Sequence, residues 1–301
     1  MKYLLIFSII LILSCGESID NKRITIDYYI KDKNIKFQSL DTSNHLNVAI
    51  SAMTSPKETF VFYKQLLHYL EEKLNVKINL IQRKTYSEVN QLLINGELDF
   101  AFICSGAYVD LTSRVETEIL VVPQFNGKCL YQAYIITNKD NSNINEFKDF
   151  KNKSFAFTDR MSNTGRLYAL KKLSELKMNE NEFFLKYIYT NAHDHSIQLV
   201  NKNLIDGATV DGLIYEYISK KDPEKIRNIK IIEKSEYFGI PPIVAKRDKL
   251  PKLLQLREVL LNMHKDIIGK EILKELNIDR FQIGYDSSYQ SIREIKQRVM
   301  K

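Results

Sequence analysis

Apolar residues in the first half of the chain switch between the spacing of strands and the spacing of helices. Leu46–Ser51 has the period of two that a half-buried strand shows, and apolar residues then recur at helical spacing from Phe60 to Leu74. A second strand and helix follow, and Leu98–Ile103 is an apolar run of the kind that a buried strand needs. This order of elements predicts a parallel sheet with helices packed on its faces.

Two helix starts carry the capping-box signature, in which a hydroxyl residue precedes a glutamate by three positions. Ser55-Pro-Lys-Glu58 comes before the first helical stripe, and its proline suits the first helical position, where no N–H partner is needed. Thr85-Tyr-Ser-Glu88 opens the second helix, which Gly96 ends. The sequence therefore predicts helices that begin near residues 56 and 86.

The same alternation recurs in the second half of the chain. Ser154–Thr158 and Ile205–Val210 have the character of strands, while Ser162 and His193 open segments with apolar residues at helical spacing. Further helices are expected near residues 251–268, 269–277 and 289–300. The repeat of the pattern predicts two similar α/β lobes.

Extended segments within Val115–Thr137 are expected to cross between these lobes, and Gly239-Ile-Pro-Pro242 lies near the return. The predicted fold class is α/β with two lobes, each a mixed or parallel sheet flanked by helices. The expected division is residues 45–136 plus 236–301 for lobe 1 and residues 137–235 for lobe 2. Open α/β sheets bind ligands at the carboxyl ends of their strands, so a site is expected at the strand-to-helix turns.

The N-terminal residues indicate export and attachment to a membrane. Lys2 precedes the apolar run Leu4–Leu13, which is too short to cross a bilayer of about 30 Å but fits the core of a secretory signal. Ile12-Leu-Ser-Cys15 resembles the bacterial lipoprotein signal, which predicts removal of residues 1–14 and lipidation of Cys15. An ordinary signal peptide is the alternative. Residues 15–44 are expected to form a lipidated tether with a short hairpin.

Composition and charge exclude several classes of protein. The 301 residues are 44% hydrophobic and 27% charged, which is typical of a globular chain. Three cysteines are too few for a disulfide scaffold, although Cys104 and Cys129 could pair after export. The net charge of +7 comes from dispersed residues without a block of Lys or Arg, so no nucleic-acid partner is expected.

Neither a metal site nor an active site is predicted. His193 and His195 have no cysteine or third histidine close in sequence, so metal ligation is not expected. The sequence shows no nucleophile with a partnered base and no acid/base pair, so we expect a protein that is not an enzyme and needs no cofactor.

Arg160-Met-Ser-Asn-Thr-Gly165 carries the most suggestive chemistry, because it follows a predicted strand and opens a helix. A helix start presents unpaired N–H groups and the positive end of the helix dipole, both of which attract an oxyanion. Ser162 and Thr164 add hydroxyl donors, and Gly165 permits close approach of the backbone. An ordinary capped turn is the alternative for these six residues.

A set of motifs in a fixed order gives the chain a wider resemblance. The motifs are Met53–Pro56, Arg83–Glu88, Gly96–Ala101, Ser105–Tyr108, Tyr131, Phe155–Gly165, His193-Asp194, Asp206–Thr209 and Gly239–Pro242. From about Asn47 to Ile278 the chain resembles the phosphate/phosphite/phosphonate-type substrate-binding proteins of ABC importers. The resemblance implies a two-lobed, type II periplasmic-binding fold that holds a phosphorus oxyanion between its lobes.

The resemblance also implies site residues. It puts the family's oxyanion-binding helix start on Ser162, Asn163, Thr164 and Gly165, where asparagine and threonine replace the usual Thr and Ser, and its histidine donor on His193. Further expected contacts are Tyr131, Arg83, Ser55, Ser105 and Asp211. Asp211 is the nearest candidate for the acid that reads a substrate amine, whereas the tyrosine that aminophosphonate binders place after the third strand is here Ile103 or Cys104.

The expected function follows from the anchor, the two lobes and this resemblance. We expect a monomeric, membrane-anchored lipoprotein on the extracytoplasmic face that captures a small anionic ligand, a phosphonate, phosphite, phosphate or related oxyanion. It would deliver the ligand to an ABC permease and its ATPase. A lipoprotein that senses the same ligand and reports to a membrane partner without transport is the alternative, and the sequence leaves it open.

Overall fold

The computed structural model describes residues 45–51, 53 and 56–299, with the backbone alone for residues 56–62. The predicted signal peptide, the lipidation site at Cys15, the tether with its hairpin and Ser55 lie outside the described residues.

The capping box at Thr85 is confirmed, since its hydroxyl accepts from the backbone N–H of Glu88, whose side chain bonds back to the N–H of Thr85.

Strands and helices alternate along most of the described chain. The strands are β1 (His45–Ile50), β2 (Lys77–Ile81), β3 (Phe100–Phe102), β4 (Thr117–Gln124), β5 (Leu130–Tyr131), β6 (Ala133–Asn138), β7 (Ser154–Phe157), β8 (Lys186–Tyr189), β9 (Gly207–Asp211), β10 (Ile229–Lys234), β11 (Phe238–Gly239), β12 (Ile243–Lys246) and β13 (Arg280–Gln282). The helices are α1 (Pro56–Leu74), α2 (Tyr86–Ile94), α3 (Ser105–Thr112), α4 (Tyr168–Glu175), α5 (Glu180–Phe183), α6 (His193–Asn201), α7 (Gly212–Lys221), α8 (Leu250–Asn262), α9 (Ile267–Glu275) and α10 (Gln290–Val299).

Eleven of these strands form two sheets, one in each lobe. The first has the order β13-β4-β12-β3-β1-β2 and the second the order β10-β6-β9-β7-β8. Pairings of β1 with β2 and β3, and of β7 with β8 and β9, are parallel, as the strand–helix alternation predicts. Both sheets are nevertheless mixed, because β12 and β6 pair with their neighbours in antiparallel fashion. The α/β fold with two lobes is thus confirmed.

The chain crosses between the sheets twice. Residues 125–132 link β4 to β6, and residues 235–242 link β10 to β12. Within the crossings β5 pairs with β11 as a two-stranded antiparallel ribbon, in which Tyr131 lies opposite Phe238. We propose these crossings as the boundaries of the lobes. All of β6 lies in the second sheet, although the sequence division at residue 136 assigns most of this strand to lobe 1.

An aromatic cluster fills the core of the second lobe. Phe155 in β7 is fully buried, stacks on Phe184 at 4.6 Å between ring centroids, and meets Phe150 and Phe157 edge-on at 5.1 and 5.5 Å. Edge-on and offset arrangements are the favourable ones for aromatic pairs. This packing fixes the strand that leads directly into the turn at residues 158–162.

Replacing Phe155 by alanine should lower the free energy of unfolding by about 3–5 kcal/mol, because the change leaves a cavity among packed rings. Urea unfolding followed by circular dichroism measures the effect. Leu185→Ala is the control, since the Leu185 side chain is 72% exposed, and it should change stability by no more than about 0.5 kcal/mol. Equal losses in the two variants would contradict this account of the core.

Candidate functional site

The carboxyl ends of the parallel strands in the two lobes face one another. At the end of β2, the first residue of α2 donates across the gap, from the backbone N–H of Tyr86 to Asp159 Oδ2 at 3.0 Å. In the other direction the first residue of α6 donates, from the N–H of His193 to the carbonyl oxygen of Met53 at 2.9 Å. Helix starts from both lobes therefore meet at the buried interface between the lobes.

A glycine allows this close approach. The first turn of α3 lies against residues 161–163 of the other lobe, and a Cβ added at Gly106 would stand 2.2 Å from the carbonyl oxygen of Met161 and 2.9 Å from the nitrogen of Asn163. Any larger residue would force the lobes apart, because both of these atoms belong to the backbone.

The predicted helix start at Ser162 is confirmed. Ser162 is the N-cap, and its hydroxyl accepts from the backbone N–H of Gly165 at 2.9 Å. The first turn, Asn163–Leu167, is a π-helical turn that continues into α4, with the N–H of Leu167 bonded to the carbonyl of Ser162 at 2.9 Å. Such turns are rare and often occur at functional sites.

Gly165 is packed so closely that only glycine fits. A Cβ there would lie 1.6 Å from Thr158 Oγ1 and 2.8 Å from Ser162 Oγ. Two hydroxyl groups are thereby held against the main chain of the turn, which we call the cradle (residues 162–165). Thr158 is not among the site residues expected from the sequence. Its position at the carboxyl end of a predicted strand is the sequence feature that could have identified it.

His193 is a neutral hydrogen-bond donor. It is fully buried, its Nδ1 accepts from the backbone N–H of Asp211 at 2.9 Å, and burial lowers the pKa of the imidazole to about 3. An Nδ1 that accepts requires the proton to be on Nε2, so the other nitrogen donates.

Asp211 is placed beside this histidine as the N-cap of α7. Its Oδ1 accepts from the N–H of Leu213 at 2.8 Å, and burial raises the pKa of its carboxyl to about 7. A carboxyl with this pKa is largely neutral in mildly acidic solution, which lowers its repulsion of a nearby anion.

Tyr131 reaches the cradle from the crossing ribbon. Asn163 Nδ2 donates to its hydroxyl at 3.2 Å, and burial is the main reason that the pKa of Tyr131 lies well above its usual value. Ser105 is close by but its hydroxyl donates to the carbonyl of Gly239 in the ribbon, at 2.7 Å. Ser105 therefore links α3 to the ribbon by a hydrogen bond.

Unpaired polar atoms are concentrated at these turns. Among the described residues, nine buried polar side-chain atoms have no hydrogen-bond partner, and five of the nine belong to the strand-to-helix turns. The five are Ser51 Oγ, Tyr86 OH, Thr158 Oγ1, Asn163 Oδ1 and Thr164 Oγ1. An unmade hydrogen bond of this kind costs about 1–3 kcal/mol, so such a concentration calls for a functional explanation.

The donors of this cluster are neutral. Four of the five atoms are hydroxyl oxygens, and burial raises the pKa of Tyr86 well above its usual value, which keeps its proton in place. Neutral hydroxyl and imidazole N–H groups such as these are donors of the kind that the oxygens of a small anion accept from. Tyr86 and Ser51 are not among the contacts expected from the sequence.

Among the other expected contacts that the structure describes, Arg83 is not brought into the cluster. Arg83 is exposed and donates to the carbonyl of its neighbour Gln82 at 2.9 Å, so the strand end holds it away from the buried turns. Ser105 bonds to the ribbon, and Ser55 is not described. Cys104 and Cys129 are separate thiols, and Cys104 is buried.

The fold and the facing helix starts define the class of two-lobed, periplasmic-type solute-binding proteins. Within that class, the family of periplasmic substrate-binding proteins of phosphonate ABC transporters matches residues 48–289, and the chain belongs to it. The family consists of transport proteins that bind a substrate.

Individual relatives agree with this assignment. A phosphate-import protein of Mycolicibacterium smegmatis, PhnD, is 27% identical over 187 residues, which are 59% of this chain and only 58% of that protein. A probable ABC transporter phosphite-binding protein of Prochlorococcus marinus, PhnD1, is 24% identical over 245 residues, 77% of this chain and 82% of that one. The solved structure of P. marinus PhnD1 with methylphosphonate is similar in fold, with a TM-score of 0.77 at 20% identity over 86% of this chain and 99% of that one.

Substitutions at two threonines test whether the unpaired hydroxyls of the cluster lower the stability of the ligand-free protein. Thr164→Val removes a buried hydroxyl that has no partner among the described residues, so in ligand-free buffer the free energy of unfolding should stay the same or rise. Thr209→Val removes a hydroxyl that donates to the carbonyl of Thr164 at 2.7 Å, and stability should fall by about 1–3 kcal/mol.

Both threonine side chains are fully buried, so the pair is matched for size and burial. Urea unfolding of the two variants measures the difference. Similar losses of stability would show that the Thr164 hydroxyl already has a partner.

Proposed function

We propose that this protein captures a small phosphorus oxyanion, such as a phosphonate, phosphite or phosphate, between its lobes and delivers it to an ABC importer. The observation that carries the proposal is the concentration of buried, unpaired hydroxyl groups where helix starts of the two lobes meet. The family assignment and the relatives named for phosphate, phosphite and methylphosphonate support the same ligand class.

The available donors are sufficient for useful affinity. A hydrogen bond to a charged group contributes roughly 1.5–3 kcal/mol net. Three or four such bonds contribute about 4.5–12 kcal/mol in total. This range includes the roughly 8 kcal/mol of micromolar binding, and the cost of closing the lobes is subtracted from it. We assign the main contacts to the hydroxyls of Thr158 and Thr164, the Nε2–H of His193 and the hydroxyl of Tyr86.

The remaining cradle residues complete the assignment. Ser162, Asn163 and Gly165 shape the turn and present its backbone, and Tyr131 closes it from the ribbon. Asp211 holds His193 in the tautomer that donates, through its backbone N–H. We leave Arg83 and Ser105 out of the direct contacts for the geometric reasons given above.

Ligand binding and closure of the lobes are coupled in this arrangement. Ser51 and Tyr86 belong to the first lobe, whereas Thr158, Thr164 and His193 belong to the second. An anion that accepts from both sets favours the arrangement in which the lobes are together, and it shifts the population towards that arrangement. A permease that recognises the closed form would then distinguish loaded protein from empty protein.

Calorimetric titration of the full chain in a mild detergent tests the ligand class. Phosphate, phosphite and methylphosphonate are the probes, and at least one of them should bind with micromolar affinity or better. Thr164→Asp should abolish binding, because it introduces a negative charge into the cradle.

Ser142→Asp is the control for that variant. Ser142 lies in an exposed turn of the same lobe, so the added charge should leave affinity within about twofold. Circular dichroism of the Thr164→Asp protein separates lost binding from lost folding. Failure of all three anions to bind the wild-type protein would overturn the proposal.

We also propose that the protein is exported and held at the extracytoplasmic membrane face by a lipid on Cys15. Support comes from the apolar run that ends in Leu-Ser-Cys15 and from the periplasmic family. In the portion of the chain that the structure covers, no helix is both long and apolar enough to cross a bilayer. Stable attachment would then depend on more than one acyl chain, since a single chain binds only marginally.

Replacing Cys15 by serine should move the protein from the membrane fraction to the soluble fraction of an expressing bacterium. Mass spectrometry of the wild-type N-terminus should find a diacylated or triacylated cysteine. Cys129→Ser is the matched control and should stay with the membrane. A wild-type protein without acyl chains would contradict the anchor.

A further inference from the structure

A small apolar cavity adjoins the proposed oxyanion site. It has a volume of about 90 Å³ and lies between the lobes, with walls that include Met53, Phe102 and Ile240 on one side and Ile214 of α7 on the other. Among the described residues that line it, two have polar side chains: Asp211, with a carboxyl group, and Tyr63, with a phenol. The cavity is therefore almost wholly hydrophobic.

His193 connects this cavity to the cradle. Its backbone N–H bonds to the carbonyl of Met53 and its Nδ1 accepts from the N–H of Asp211, and both of these partners line the cavity. On the other side, Thr209 in the strand that ends at Asp211 donates to the carbonyl of Thr164. Two residues that bond to His193 thus line the cavity, and the strand that carries one of them also bonds to the cradle.

Resting on the proposed function, we infer that the cavity receives the organic substituent of a phosphonate, and that this substituent is uncharged and apolar. The ligand class is then a short alkylphosphonate, with the phosphonate oxygens in the cradle and the carbon chain among Phe102, Ile214 and Ile240. Aminoalkyl phosphonates and inorganic phosphate would be weaker ligands.

The volume sets the length of the substituent. A cavity of about 150 Å³ holds benzene, and one water occupies about 30 Å³ in the liquid. A cavity of about 90 Å³ therefore accommodates roughly three heavy atoms, which corresponds to a propyl group.

The polar lining argues against an ammonium group. An alkylammonium has three N–H donors that all need acceptors once they are buried. Asp211 offers one carboxyl, and its Oδ1 already accepts from the N–H groups of Leu213 and Ile214 at 2.8 and 3.4 Å. Burial also raises the pKa of Asp211 to about 7, so in the ligand-free protein near neutrality it carries only part of a negative charge.

An isosteric pair of ligands tests the inference on the unmodified protein. Propylphosphonate and 2-aminoethylphosphonate have the same number of heavy atoms and differ in a terminal methyl or ammonium group. Calorimetry of the full chain in mild detergent should find propylphosphonate at least tenfold tighter than 2-aminoethylphosphonate. It should also bind about tenfold tighter than methylphosphonate, because two more methylenes are buried.

Filling the cavity provides a second test. Ile214→Phe should weaken propylphosphonate at least tenfold and change the affinity for methylphosphonate less than threefold. Ile188→Phe is the matched control, since Ile188 is 42% exposed on the edge strand β8, and it should leave both affinities unchanged.

The outcomes separate this inference from the proposed function. If no phosphorus oxyanion binds, the proposed function fails and the inference fails with it. If methylphosphonate binds but 2-aminoethylphosphonate binds as tightly as propylphosphonate or more tightly, only the inference is overturned. Equal weakening of propylphosphonate and methylphosphonate by Ile214→Phe would likewise place the substituent elsewhere. If that variant does not fold, the comparison of ligands on the wild-type protein decides.

Discussion

The structure depends on how the buried polar groups at opposing helix starts are satisfied. Every helix begins with N–H groups that have no partner within the helix. Some of these groups bond locally, as the N–H of Gly165 does to the hydroxyl of Ser162. Others bond to the opposite lobe, as the N–H of Tyr86 does to the carboxylate of Asp159. Hydroxyl groups such as those of Thr158 and Thr164 remain unpaired among the described residues. In the function that we propose, a small acceptor bound between the lobes makes up this deficit.

The charge of the site follows from the same arrangement. Its donors are hydroxyls, backbone N–H groups and a histidine whose pKa burial lowers to about 3, so the site presents hydrogen bonds without a buried cation. Neutral donors avoid the large cost of burying an unpaired charge before the ligand arrives. Gly106 and Gly165 make the arrangement possible, because a Cβ at either position would collide with atoms of the site.

Local signals predicted a large part of this protein. The capping box at Thr85, the helix starts at Ser162 and His193 and the division into two α/β lobes all depend on residues near one another in sequence, and the structure confirms them. The placement of β12 between β3 and β4 was not predicted, since it joins segments that are more than 100 residues apart.

Local sequence specifies which turns carry donors, because N-caps, glycines and hydroxyl residues act through their immediate neighbours. Which of those turns meet between the lobes depends on the tertiary fold. It brought Ser51, Tyr86 and Thr158 into the cluster and left Arg83 at the surface. It also created the apolar cavity, whose walls come from both lobes. Burial and hydrogen-bond pairing depend on contacts between distant segments, and no local pattern records those contacts.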